Sequence, residues 1–135
     1  MDKPTQEKVK EWLLIAEEDH ISAHALLKHD PLIGFSVCFH AQQCAEKALK
    51  GFLTHCQHQF ERTHDLLKLV KLCAAIDPEF ANYAAPADAL APYAAETRYP
   101  DDYRSIPHRE AGEAITNAER ILNFVKSKLD PSLLI

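Results

Sequence analysis

Between about Leu32 and Cys56 the chain repeats apolar residues at helical spacing, through Phe35, Cys38, Phe39, Ala45, Leu49, Phe52 and Leu53. A proline-free run with that period gathers its apolar residues on one side only as a helix, because a strand would send alternate residues to opposite faces. Two further windows keep the same period. From about Thr5 to His29, Val9, Trp12, Leu13, Ala16, Ala23, Leu26 and Leu27 mark an amphipathic helix that Asp30-Pro31 stops. From near Pro107 to Asp130-Pro131, Ala111, Ala114, Ile115, Ala118, Ile121, Leu122, Val125 and Leu129 mark the last one.

The segment between them is more broken. Thr63-His64-Asp65, ahead of Leu66, Leu67, Val70 and Cys73, reads as an N-cap followed by an acid in the first turn of a third helix. Asp77-Pro78-Glu79 opens another by cap and first-turn proline, and Pro86 and Pro92 cut the alanine-rich stretch that follows into short pieces. No strand-like alternation interrupts this, and only three glycines occur in 135 residues, too few for a turn-rich sheet. The expected fold is all-α: an antiparallel bundle of four main helices with a short broken helical segment before the last helix. One domain over 1–135, with its core at about 5–129 and a short apolar C-terminal tail, accommodates the length.

Charge and cysteine usage narrow the function classes. A formal charge of −5 argues against a broad nucleic-acid surface, which needs many cations on one face. Cys38, Cys44, Cys56 and Cys73 form no CxxC pair and read as packed free thiols of a reducing compartment. "MDKPTQEKVKEW" lacks an apolar signal core, and the early run Trp12 to Ala16 is too short to span a bilayer, so a cytoplasmic chain without membrane contact is expected.

Two polar residues interrupt the apolar stripe of the second helix. At about 100° per residue, Gln42 and Glu46 fall in the same direction as Cys38, Leu49 and Leu53. A carboxylate there requires a cation or hydrogen-bond donors. Glu46 either joins a structural network with a donor from another helix, or orients His64 or an arginine of the loop before the last helix. Lys47 and Lys50 point off the stripe and read as solvated, with Glu46 and Lys50 also available as an i, i+4 pair.

That loop, "ETRYPDDYRSIPHRE" at 96–110, holds three of the chain's five arginines together with two tyrosines and a histidine. Arginines beside a helix start favour an anion, since unpaired N–H groups and the positive dipole end lie there. Arg98 and Arg104 are the candidate phosphate contacts, with Tyr99 and Tyr103 to stack on a base or donate hydrogen bonds; a surface loop packing two tyrosines is the other reading. His20 and His24 are four apart and could share a metal, but no third ligand lies nearby in sequence. His55, Cys56 and His58 read as a polar helix terminus. Neither a metal nor another cofactor is expected.

Three segments together, "CFHAQQCAEKALKGFL" at 38–53, "THDLLKL" at 63–69 and "RYPD" at 98–101, resemble the HEPN domain family (higher eukaryotes and prokaryotes nucleotide-binding) in order and spacing. The resemblance spans Trp12 to about Leu129 and implies a helical bundle that dimerises. It further implies one of two activities. Many members resemble metal-independent endoribonucleases that place an arginine four to six residues before a histidine at the start of the last long helix. There the histidine activates a ribose 2′-OH and the arginine steadies the phosphorane charge. Others resemble partners of minimal nucleotidyltransferases in toxin–antitoxin pairs. Counting on from Arg98, Tyr103 stands where the histidine belongs, and a tyrosine with its usual pKa of about 10 is a poor base at neutral pH. Arg104 and His108, with three residues between them, form the alternative catalytic pair. The favoured expectation is a module that binds nucleotide or RNA phosphate, with Glu46, Gln42 and His64 supporting the loop and a nucleotidyltransferase as partner protein. An endoribonuclease toxin is the alternative, and a helical scaffold the third.

Overall fold

The computed structural model describes residues 1–29, 33–94, 100 and 103–134, and among these every regular element is helical. Helix α1 runs Lys3–His29 and starts two residues before the expected Thr5. Asp2 is the reason: its Oδ1 accepts the Thr5 backbone N–H at 2.8 Å and caps the first turn. Helix α2 covers Gly34–His55. Helix α3, Leu66–Ile76, is capped by Asp65, whose side chain accepts from the Lys68 N–H at 3.2 Å. The acid is thus the cap and not a first-turn residue, while Thr63 supports it by accepting the Asp65 N–H at 3.1 Å.

Asp77 and Pro78 start the broken segment as expected, with the Asp77 carboxylate accepting the Glu79 N–H at 3.1 Å. A 3₁₀ turn at Pro78–Tyr83 leads into the short helix α4, Ala84–Leu90, and a second turn at Ala91–Tyr93. Helix α5, His108–Ser127, closes the bundle, and the tail continues as a turn at Pro131–Leu133 against α1 with Leu133 buried. Leu133 of the apolar tail is therefore part of the core, and Leu134 packs against it half-buried.

Helix α2 is the central element. It packs on α1, α3, α4 and α5, and 14 of its 22 residues are buried, more than a one-sided amphipathic helix could hide. Around it the aromatic rings interlock: Phe52 lies 4.4 Å from Phe80, and Phe80 lies 4.8 Å from Phe124, centroid to centroid. Cys38, Cys44 and Cys73 are buried and free, and burial pushes the Cys38 and Cys73 thiols up to about 12, so they act as small apolar filler. Two glycines permit close approaches. A Cβ on Gly51 would meet the Trp12 Cβ at 3.3 Å, and one on Gly34 would lie 2.5 Å from the Ile106 carbonyl oxygen. The second contact seats the start of α2 against the segment that feeds α5.

Candidate anion-binding site

Glu46 is fully buried, as its place in the stripe requires, and its four donors converge from α2 and the approach to α3. Lys47 Nζ and Lys50 Nζ reach Oε2 at 2.9 and 3.0 Å; His64 Nδ1 and Gln42 Nε2 reach Oε1 at 2.8 and 3.4 Å. A carboxylate only accepts, so His64 carries its hydrogen on Nδ1 and turns Nε2 away. Gln42 also donates to the His64 carbonyl at 3.2 Å, which holds the backbone just before the α3 cap onto α2. Burial pushes the Glu46 carboxyl up, but the hydrogen bonds from Lys47, His64 and Lys50 outweigh it and hold the group below its ordinary value.

The lysines depart from expectation. Lys50 is buried, at 5% exposure, and Lys47 is half-buried, because both bring their ammonium groups to the buried carboxylate. Each Nζ lies 5.8 Å from the Trp12 ring centroid. Above this network opens a pocket of about 310 Å³ lined by Trp12, Lys47, Lys50, Arg62, Thr63 and His64. Three permanent cations stand against the one carboxylate beneath, a surplus of two positive charges in a chain whose net charge is −5. Positive charge, a hydroxyl and an indole ring in one concavity suit an anion carrying an aromatic group.

The arginine loop is organised by Glu110, a residue that the sequence pattern does not single out. Placed in the first turn of α5, it receives Arg104 through two hydrogen bonds, NH1 to Oε1 at 2.9 Å and NH2 to Oε2 at 2.5 Å. Tyr93 donates to the same carboxylate at 2.5 Å. The Arg104 hydrogen bonds hold the Glu110 carboxyl below its ordinary value, and burial together with Glu110 raises the Tyr93 hydroxyl. Arg104 thus spans onto Glu110, while His108 stands exposed at the first residue of α5 and Tyr103 is 63% exposed. Arg98 and Tyr99 lie outside the described residues.

Of the residues singled out from sequence, Glu46, Gln42 and His64 come together. The carboxylate takes His64, not a loop arginine. Lys50 joins them as the i, i+4 partner that the spacing offers, and Trp12, Lys47 and Arg62 join unforeseen; the signal available for Lys47 was a lysine next to a stripe carboxylate. His20 and His24 acquire a neighbour from α5, with Glu119 Oε2 at 2.9 and 3.2 Å from their Nε2 atoms. No helix among the described residues is long and apolar enough to cross a membrane.

Comparison with known proteins agrees over nearly the whole chain. The family model described as HEPN domain matches residues 9–128. The crystal structure of ST0689, an archaeal HEPN homologue, is similar at 32% identity, covering 90% of this chain and 98% of that one with a TM-score of 0.72. The crystal structure of TT1696 from Thermus thermophilus is similar at 32% identity with the same coverages and a TM-score of 0.73. No curated protein matches.

Proposed function

The chain belongs to the HEPN domain family, and from that membership we propose that it binds the phosphate of a nucleotide or of an RNA strand. The observation that carries the reading is the pocket over Glu46. Lys47, Lys50 and Arg62 supply charge, His64 offers Nε2, and Trp12 offers a face on which a base can stack. Glu46 does not repel the ligand; it holds two lysines and a histidine in place before the anion arrives, which lowers the ordering cost of binding. The loop residues Arg98, Tyr99, Tyr103 and Arg104 are a second contact along a longer strand. The resemblance adds a homodimer and a minimal nucleotidyltransferase as partner in a toxin–antitoxin-like pair, and copurification from the native host tests that association.

Binding is tested by fluorescence anisotropy with a labelled short single-stranded RNA and a nucleotide competitor at two salt concentrations. Affinity falls with salt, and Arg62→Ala, at an exposed position, weakens binding several-fold and lowers the salt slope by about one. Trp12→Ala loses the stacking contribution, about 1–3 kcal/mol. Affinity that ignores Arg62→Ala and follows Arg98→Ala and Arg104→Ala moves the contact to the loop, and absence of binding leaves a scaffold. The same samples, incubated in excess chelator, address catalysis. With Arg104 held by Glu110 and tyrosine at the expected histidine position, little or no cleavage is expected. Robust chelator-resistant cleavage abolished by His108→Ala would install the ribonuclease reading with Arg104 and His108 as its pair.

A further inference from the structure

His20 and His24 occupy successive turns of one face of α1, and Glu119 comes to them from α5, about a hundred residues along the chain. Both imidazoles present Nε2 to the same carboxylate oxygen, at 2.9 and 3.2 Å, and the ligand atoms of the three residues all lie within 4.8 Å of one another. In a tetrahedral shell with metal–ligand bonds of about 2.0–2.1 Å, neighbouring ligand atoms stand roughly 3.3 Å apart. Two of the three separations are therefore close to those of a metal shell, and the third, between the two imidazole nitrogens and no more than 4.8 Å, closes by up to about 1.5 Å when an ion is held. Among the described residues this is the one group of three such side chains that converges.

From this convergence we propose that His20 Nε2, His24 Nε2 and the Glu119 carboxylate bind a divalent transition-metal ion of the zinc type, clamping α1 to α5. Two imidazole nitrogens and one carboxylate favour zinc, cobalt or nickel over magnesium or calcium, which take oxygen ligands. The surroundings support the same choice. Glu17 Oε2 stands 3.7 Å from His20 Nδ1, the ring nitrogen that does not face Glu119, just beyond hydrogen-bond reach of the atom through which a carboxylate would orient a metal-bound imidazole. Glu17 is itself paired with Lys126 of α5, so its charge is balanced and Glu119 supplies the unbalanced one. The three side chains are part-exposed, at 23, 43 and 37% for His20, His24 and Glu119, leaving a path for the ion and room for a water in the fourth position.

The experiment uses the full chain without a polyhistidine tag, carrying Cys56→Ser to remove its half-buried thiol. Titration with Co²⁺ is followed by visible absorption, and titration with Zn²⁺ by calorimetry and thermal melting. One ion per chain is expected, with the d–d bands of a four-coordinate nitrogen and oxygen site. Zn²⁺ at about a hundred times its dissociation constant raises the melting temperature by about 5 °C or more. Glu119→Gln and His24→Ala each reduce affinity at least about tenfold, a loss of the size seen even for residues that only support ligands. His24→Cys, which replaces one ligand by another, keeps the ion and adds a thiolate-to-cobalt charge-transfer band. Binding equal in all three variants, a thiolate band before any cysteine is introduced at position 24, or no melting shift with Zn²⁺ would each overturn the proposal.

Discussion

Glu46 is charged, fully buried and surrounded by donors, so its replacement has a defined consequence. In Glu46→Gln the shape survives, but Lys50, itself buried, and Lys47 lose their anion. Leaving a cation uncompensated in the interior costs about 3 kcal/mol. Denaturant unfolding at neutral pH measures that loss, and an unchanged midpoint would place the carboxylate outside the fold's energetics. The pH dependence has a sign as well. A carboxyl held below its ordinary value of 4.5 stabilises the fold fully above that value and loses the contribution as pH falls through it toward the folded value. The wild-type protein therefore destabilises on acidification below about pH 4.5 more steeply than Glu46→Gln, whose amide does not titrate; parallel curves would exclude the lowered carboxyl. The residue scale also explains a misreading. Lys47 and Lys50 look solvated by angle alone, because the helical wheel places a Cα, whereas a lysine stem carries its charge far from that direction.

Among the elements, α2 and the segment before α5 depend on one another through Gly34. The Cβ that Gly34→Ala adds would lie 2.5 Å from a backbone carbonyl oxygen, which no side-chain rotation relieves. Alanine is ordinarily the better helix former, so propensity predicts a gain. Close packing predicts the reverse, a loss of about 1–3 kcal/mol, as either α2 or Ile106 must shift. Thermal melting distinguishes the two, and a rise in midpoint would show that the approach relaxes freely. Because Ile106 is followed within two residues by the start of α5, the shift is expected to reach the Arg104–Glu110 pair as well. The second close approach, at Gly51, has a related role: it lets α1 bring Trp12 down onto α2, where the ring lines the pocket with Lys47 and Lys50.

For the molecule as a whole, the proposed function includes a two-fold assembly. A homodimer is expected by light scattering at micromolar concentration; a monomer there would remove any site composed across two copies, including the paired use of Arg104 and His108. The two clusters built within one chain survive that result, since the pocket over Glu46 draws on α1, α2 and the approach to α3, and the histidine cluster on α1 and α5. Both involve α1, which supplies Trp12 to one and His20 and His24 to the other.

Sequence alone determined the helices, because each long one writes its period in apolar residues over five turns or more, and proline and aspartate mark most of the ends, the C-terminus of α2 excepted. It also determined that Glu46 needs donors, since a carboxylate within an apolar stripe has few physical solutions. Which donors it takes was decided by tertiary structure. Lys50 is legible as an i, i+4 partner, but His64 depends on how the turn before α3 folds back on Gln42. Glu110 was visible as the last letter of the arginine-rich stretch, yet its hold on Arg104 and Tyr93 depends on the path the chain takes into α5. Glu119 is the furthest case: no local pattern links it to His20, and only the packing of the last helix on the first brings them to 2.9 Å. Periodicity is a local property of the chain, while a charged cluster is made by whichever side chains packing leaves facing one another.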